Sequence, residues 1–194
     1  CVFILLFLRI FDNLSTIFPK TVEYDYIGES EDGISIVRKD NKIGLISDNK
    51  DVIVEPQYDQ ILNFHEGFAR IVLNGKWGYI NKSGNVIIEP KFEYAFDFRD
   101  GLACVRQNEK YGCINYSGKI QISFKYDEAL NFSNGLARFN QNDLYGFMNK
   151  SEDFIIPAKY KSASEFNNAI AVVGSENQYF IIDTNGVRLS QENY

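Results

Sequence analysis

Residues 76–105 read KWGYINKSGNVIIEPKFEYAFDFRDGLACV, and the same pattern of residue types returns along the chain every 34 residues. Glycine holds this period at Gly44, Gly78, Gly112 and Gly146. Phenylalanine and alanine hold it at Phe64, Phe98, Phe132, Phe166, Ala69, Ala103, Ala137 and Ala171. No insertion disturbs the count between Gly33 and Leu189. A fixed period of this length predicts tandem structural repeats.

The repeat divides the chain into five units. We place their starts near Gly33, Gly67, Gly101, Gly135 and Ala169, after a lead-in over residues 19–32. Residues 19–190 are therefore predicted to form a single array. A closed ring and an open spiral both fit this spacing. In such an array the stability should be a sum over the units and their interfaces.

Each unit is predicted to consist of strands. Its apolar runs are short and alternate with polar residues, and the units are rich in Gly and Asn. In the second unit we expect strands at residues 67–73, 76–80 and 86–89, the last ending at Pro90. Residues 91–100 could form one helical turn or an extended stretch. The sequence thus predicts an all-β fold of three-stranded antiparallel meanders.

The turn at residues 74–75 fixes which side chains share a face. It pairs Ala69 with Ile80 and Ile71 with Gly78, which gives a small apolar face. The repeated glycine and alanine are expected to let a neighbouring sheet approach closely. The opposite face is predicted to be mixed and half exposed, and it holds Phe68, Arg70, Val72, Trp77 and Tyr79.

Composition excludes several classes of protein. The 194 residues carry a net charge of −6, so there is no excess of Lys and Arg to neutralise nucleic-acid phosphates. One His and three Cys are too few for most metal sites or for a disulfide scaffold. No phosphate-binding loop and no nucleophile-elbow motif occurs. We therefore expect no nucleic-acid partner, no metal and no cofactor.

The N-terminal segment, residues 1–18, begins with an apolar run. Residues 1–11 read CVFILLFLRIF, which is too short to span a bilayer. The run fits the apolar middle of a secretory signal or an anchor remnant. The alternative is a strand or helix buried in the fold. The first interpretation predicts a secreted or cell-envelope protein, with membrane contact only through this segment, and the alternative predicts a cytoplasmic one.

The recurring motif resembles the bacterial WG (or KWG) repeat. Lys76, Trp77 and Gly78 carry the signature, and the resemblance covers roughly residues 20–190. Other units hold Ile43, Tyr111, Tyr145 or Tyr179 in the place of Trp77. The fifth unit has Phe180 where the glycine should be, so it is degenerate or capping. The resemblance implies a β-repeat protein of the bacterial envelope or secreted fraction, and it brings no catalytic residues.

Candidate chemistry is sparse. His65 has no sequence partner for a metal site or a nucleophile–base pair, so we interpret it as a solvated residue. Acidic residues recur in rows that could line a cation or sugar site, or simply solubilise the surface: Glu55 and Glu89, then Asp59, Glu93 and Asp127. Two aromatic rows could be repeat core or could stack sugars: Trp77, Tyr111, Tyr145 and Tyr179, then Tyr58, Phe92, Tyr126 and Tyr160.

These patterns favour a non-enzymatic binding or scaffolding protein with a protein or glycan partner. Trp77, Tyr79 and Tyr111 are the predicted binding residues. The alternatives are a glycan- or peptidoglycan-acting hydrolase, a carbohydrate-binding module and a structural spacer. Cys104 and Cys113 are predicted to face each other across a hairpin, and a disulfide between them is left open. The oligomeric state cannot be read from the sequence.

Overall fold

The computed structural model describes residues 23–176 and 178–189. In this part of the chain all regular structure is β: nineteen strands form five antiparallel sheets. The predicted all-β repeat fold is confirmed. The apolar residues 1–18, with their signal, anchor or buried-strand interpretations, lie outside the described residues. The described part contains no helix that could span a membrane.

The strands follow the chain from sheet to sheet. Sheet 1 contains β1 (Tyr26–Glu31), β2 (Ile34–Lys39), β3 (Lys42–Ser47) and β4 (Val52–Tyr58). Sheet 2 contains β5 (Gln60–His65), β6 (Phe68–Leu73), β7 (Lys76–Asn81) and β8 (Val86–Phe92). Sheet 3 contains β9 (Tyr94–Ala95), β10 (Leu102–Gln107), β11 (Lys110–Asn115) and β12 (Ile120–Tyr126). Sheet 4 contains β13 (Phe132–Ser133), β14 (Leu136–Gln141), β15 (Leu144–Asn149) and β16 (Phe154–Tyr160). Sheet 5 contains β17 (Ser162–Ala163), β18 (Ile170–Ser175) and β19 (Gln178–Asp183).

The predicted three-strand meander is present in every complete unit, and the connector adds a strand to it. Residues 91–92 belong to the end of β8, Asp100 lies in a turn, and between them Tyr94–Ala95 forms a short strand that pairs with β10 of the following unit. The connector therefore forms the first strand of the next sheet and covalently links the two sheets. In the lead-in, Tyr26–Glu31 plays the same part for sheet 1.

The hairpin register is the one that the turn predicted. Ala69 pairs with Ile80 and Ile71 with Gly78, and residues 74–75 both have the positive φ of a tight two-residue turn. The same register recurs in sheets 3 and 4. A turn sequence that accepts the left-handed backbone conformation thus sets the pairing of each central hairpin.

Gly78 is required for a reason other than close approach of a neighbouring sheet. A Cβ atom there would lie 2.5 Å from the carbonyl oxygen of Ile88 and 2.7 Å from the nitrogen of Pro90, both in the adjacent strand β8. The pairing of β7 with β8 is irregular at this point, because β8 carries extra residues between Ile88 and Phe92. Strand β8 consequently runs through Pro90 instead of ending there, since a bulge tolerates a missing N–H.

Four hydrophobic clusters join the five sheets in sequence. In the second of them Tyr79, Ile88 and Phe92 of sheet 2 pack against Phe98 and Ala103 of sheet 3 and its connector. The small apolar face of each unit is buried, as predicted. The expectation that the opposite face is half exposed is wrong for Tyr79 and Val72, which are both buried. The next sheet packs on this face as well and covers Tyr79.

The array is open among the described residues. Each hydrophobic cluster joins a sheet to the one that follows it, and none joins sheet 1 to sheet 5. Hydrogen bonds between turns add to these contacts. The carboxylate of Glu66, in sheet 2, accepts the backbone N–H groups of Asp100 and Gly101 in the turn before β10 of sheet 3, at 2.8 and 3.1 Å. Asp100 repeats the pattern with Gly135 at 3.3 Å.

Candidate functional site

Trp77 is half-buried at the second position of β7. It lies where sheet 2 meets the connector to sheet 3, and its ring centroid is 5.0 Å from that of Tyr94. The guanidinium carbon of Arg70 is 5.6 Å from the indole centroid, which is a cation–π distance. The indole therefore has one cationic neighbour and one aromatic neighbour, and it is only partly covered.

The connector extends this contact into a row of rings. Tyr94 and Phe96 have centroids 5.0 Å apart, and Phe96 is 6.3 Å from Tyr111 of sheet 3. Tyr94 and Phe96 expose 38% and 37% of their surface. We call Trp77, Tyr94, Phe96 and Tyr111 the aromatic surface. It spans the junction of the second and third units.

The three predicted binding residues have different environments in the structure. Trp77 and Tyr111 are both in the aromatic surface, although neither touches the other directly. Tyr79 is not available to a partner, because its ring packs on Phe98 at 4.8 Å and its hydroxyl donates to the Phe96 carbonyl at 2.7 Å. Burial raises the pKa of the Tyr79 hydroxyl well above its usual value. Its role is to tie sheet 2 to the connector.

Tyr94 and Phe96 were not among the predicted binding residues. A repeat analysis weights positions that recur, and these two do not. The equivalents of Tyr94 are polar in the other units, at Gln60, Glu128 and Ser162. An aromatic residue that replaces polar ones at a single position of the period is the signal that could have found Tyr94, whereas Phe96 stands where two other units have leucine, Leu62 and Leu130.

Charged groups frame the aromatic surface. The Nε atom of Arg70 lies 2.7 Å from an oxygen of Asp97, and Arg70 also donates to the Ala95 carbonyl at 3.0 Å. His65 approaches the other Asp97 oxygen at 3.5 Å. His65 thus has a carboxylate neighbour that the sequence did not reveal, and Asp97 is shared between two cationic or potentially cationic groups.

The acidic rows have structural contacts. Glu93 accepts the backbone N–H groups of Asn108 and Glu109, at 3.0 and 3.1 Å, and so holds the β10–β11 turn. Asp59 does the same for Asn74 at 2.7 Å. The hydrogen bond from Lys42 lowers the pKa of Asp59. These carboxylates act as turn caps, whereas Glu55 and Glu89 are exposed on strands of different sheets.

Cys104 and Cys113 are direct cross-strand partners, as the turn predicted. Both thiols are free and buried. Hydrogen bonding between them lowers the pKa of Cys104 and raises that of Cys113. The Cys104 sulfur also accepts the Leu130 N–H at 3.2 Å. No group of three or more potential metal ligands lies together in the described residues.

Comparison with known sequences identifies one family. A family model described as "WG containing repeat" matches five tandem segments of the chain, at residues 21–42, 43–77, 77–111, 111–145 and 145–179. From residue 43 onward the matched segments start every 34 residues, which is the period described above. They begin at a different position within the repeat from the units defined above. No curated protein matches the sequence significantly.

Comparison with solved structures places the architecture among β-propeller-like repeat proteins. A crystal structure of a eukaryotic initiation factor superposes with a TM-score of 0.54 at 11% identity, covering 84% of this chain and 53% of that one. Hsv2p of Kluyveromyces lactis gives 0.46 at 13% identity, covering 86% and 63%. The chain thus spans about half to three fifths of these proteins. At such identities the likeness concerns the fold alone.

Proposed function

Because the chain belongs to the family of WG-containing repeat proteins, we propose that it is a non-enzymatic binding or scaffolding protein that holds its partner at the aromatic surface. The observation that carries the proposal is the exposure of Tyr94 and Phe96 beside Trp77 and Tyr111. Four rings in one row supply a large contact area at little cost in side-chain entropy, and aromatic residues dominate binding hot spots.

The position of the rings within the array supports this proposal. The other aromatic row, Tyr58, Phe92, Tyr126 and Tyr160, is buried between sheets, where it stabilises the array. Tyr94 and Phe96 lie at the outside of the same junction. The other units hold Gln60, Glu128 and Ser162 at the position of Tyr94, and Leu62, Leu130 and Ser164 at the position of Phe96, so neither position is aromatic elsewhere. Folding alone does not require an exposed ring at either position.

The arrangement of the titratable groups favours binding over hydrolysis. A hydrolase needs two or three convergent titratable groups in a cleft. Glu93 is engaged by two backbone N–H groups, and Asp97 is engaged by Arg70 and His65. Turnover of peptidoglycan fragments by the purified protein, lost on Glu89→Gln or Glu93→Gln, would overturn the non-enzymatic proposal.

Capture experiments test the binding surface. The wild type and the Tyr94→Ala/Phe96→Ala double variant are immobilised, and each is exposed to soluble and envelope fractions of the source organism. We expect the double variant to retain at most a fifth of the specifically captured material. The matched control is Tyr179→Ala, since that ring is 74% exposed in sheet 5, away from the aromatic surface. Equal capture by all three proteins would refute the assignment.

Trp77→Ala is a second probe of the same surface. We expect it to weaken capture while the far-UV circular dichroism of the β-sheets is retained, because the indole is only half-buried. Unfolding of this variant would mean that Trp77 belongs to the core.

We also propose that the protein acts in the cell envelope or outside the cell, with a protein or glycan partner. The apolar residues 1–11 support an export signal or an anchor. Fractionation of cells that express the natural protein tests this proposal, and recovery in the cytoplasm alone would contradict it.

A further inference from the structure

We propose that the aromatic surface binds a proline-rich protein segment in the polyproline II conformation. This inference rests on the proposed function and adds the chemical class of its partner. It is carried by two properties of the surface: the angles between its rings and the balance of its free hydrogen-bonding groups.

The rings of the aromatic surface are steeply inclined to one another. Trp77 and Tyr94 are inclined to each other by 50°, Tyr94 and Phe96 by 66°, and Phe96 and Tyr111 by 54°. A flat sugar ring stacks best on one continuous planar face. Rings inclined by 50° or more do not present such a face, whereas the compact, puckered pyrrolidine ring of proline can contact two inclined rings at once. Domains that recognise polyproline II segments do so with aromatic side chains.

The free polar groups of the surface are donors. Among the described residues, the indole N–H of Trp77 and the hydroxyls of Tyr94 and Tyr111 have no hydrogen-bond partner. The hydrogen bonds at this junction are made by other groups, such as Tyr79 to the Phe96 carbonyl and Arg70 to the Ala95 carbonyl. The surface therefore offers three donors, two of which are hydroxyls that can also accept.

The nearby carboxylates are already engaged within the protein. Glu93 holds two backbone N–H groups of a turn, and Asp97 faces Arg70 and His65. The surface is thus rich in donors and poor in strong acceptors. A proline-rich segment has the complementary chemistry, because proline lacks the N–H and the carbonyls of a polyproline II helix are unpaired. Each sugar hydroxyl, by contrast, needs both a donor and an acceptor.

Trp77 provides the readout, since it is the single tryptophan of the chain. The full chain is titrated with acetyl-decaproline amide, and the indole emission is followed. The comparison ligands are a glycine–serine decapeptide, which has carbonyls without pyrrolidine rings, and chitohexaose. We expect a saturable change with decaproline and no saturable change with the other two.

Variants locate the binding site. Tyr94→Ala or Phe96→Ala should weaken decaproline binding at least tenfold. Tyr94→Phe, which removes only a donor, should weaken it several-fold while the fold is retained. Tyr179→Ala should leave it unchanged, because that ring lies in sheet 5. Circular dichroism confirms that each variant is folded.

The outcomes separate this inference from the proposed function. If chitohexaose saturates and decaproline does not, and the chitohexaose signal is lost in Tyr94→Ala, the surface binds glycans and the inference is wrong. If neither ligand titrates while the Tyr94→Ala/Phe96→Ala variant still loses its capture of cellular material, the inference alone is overturned. If capture is also unchanged in that variant, both proposals are overturned.

Discussion

Backbone conformation at single turn residues sets the geometry of this protein. In sheets 1 to 4 the central hairpin turns through two residues with positive φ, and in sheet 2 these are Asn74 and Gly75, which adopt that region readily. Glu109 occupies the second of these positions in sheet 3, with φ of 63°. The left-handed region costs an L-residue about 1–2 kcal/mol. The repeat tolerates this strain because the surrounding pairing fixes the turn.

Replacement of Glu109 by glycine should therefore stabilise the protein. Relief of the left-handed strain exceeds the entropy that glycine adds to the unfolded chain, so we expect a net gain of about 0.5–1 kcal/mol in the free energy of unfolding. The hydrogen bond from the residue 109 N–H to Glu93 is kept, since it involves only the backbone of residue 109. Urea denaturation measures the change. Gly75→Glu is the reciprocal control, and it should destabilise; a loss of stability in Glu109→Gly would contradict the argument.

Asn81 caps the turn between β7 and β8 with its side-chain oxygen. That oxygen accepts the N–H groups of Ser83 and Asn85, at 3.1 and 2.9 Å. Asn81→Ala should lower the free energy of unfolding by about 1–2 kcal/mol, because both donors lose their partner. Asn81→Asp keeps an acceptor in the same place and should cost less than half as much. Thermal denaturation of the two variants distinguishes the cap from a general effect of substitution.

At the scale of the element, the pairing of the central hairpin with the strand that follows it decides which residues the repeat retains. Gly44, Gly78, Gly112 and Gly146 all face the backbone of the following strand at distances that no Cβ atom tolerates, between 2.4 and 2.7 Å. The bulge that brings this backbone close also accommodates Pro56 and Pro90. The glycine and the bulge are thus one structural feature, in which each makes the other possible.

Gly78→Ala should be strongly destabilising for this reason. The added methyl group would overlap the Ile88 carbonyl and the Pro90 nitrogen, neither of which can rotate away, so we expect a loss of about 3 kcal/mol. Gly28→Ala is the matched control, since a Cβ atom there meets its nearest neighbours at an ordinary 3.5 Å. Chemical denaturation compares the two. A cost below 1 kcal/mol for Gly78→Ala would mean that β8 can move away.

Local chemistry explains how much of these elements the sequence could predict. The turn residues and the alternation of side chains were sufficient for the three strands of each meander, except for the end of the third strand, and for the pairing of Cys104 with Cys113. The burial of Tyr79 was missed because it depends on the sheet that follows, which lies beyond any pattern within one hairpin. The strand at Tyr94–Ala95 was missed because its partner is also in the next unit.

The candidate site was predictable only in part for a related reason. Trp77 and Tyr111 belong to a recurring row, so the period revealed them. Tyr94 and Phe96 occur once, and their proximity to Trp77 arises from the path of the connector between two sheets. The exposure of a ring in a repeat protein is set by the neighbouring unit, and a single sequence does not state how far that neighbour covers it.

At the scale of the whole molecule, the array behaves as a one-dimensional stack. Five sheets share four hydrophobic interfaces, and turn residues such as Glu66 bind the next sheet. In a stack of this kind a perturbation acts on the adjacent interface and decays with distance along the chain. In a closed ring it would reach each unit from both sides.

Truncation of Phe166 tests this behaviour at one end of the stack. The ring is 3% exposed and packs on Phe147 at 4.6 Å, which joins sheet 4 to sheet 5. Phe166→Ala should cost about 3–5 kcal/mol at that interface. Amide hydrogen exchange should then accelerate in β15, β18 and β19, whereas β6 and β7 should exchange as in the wild type, because local openings of a stack need not involve distant units.

The matched control is Phe98→Ala at the junction of sheets 2 and 3. Phe98 is 1% exposed and packs on Tyr79, so it has similar burial at a central position. This variant should accelerate exchange in β7 and β10, on both sides of the altered interface, and leave β19 less affected. Uniform acceleration over all five sheets in both variants would mean that the array unfolds as one cooperative unit. An open stack of independent interfaces requires that amide groups in the units far from each substitution keep their wild-type protection.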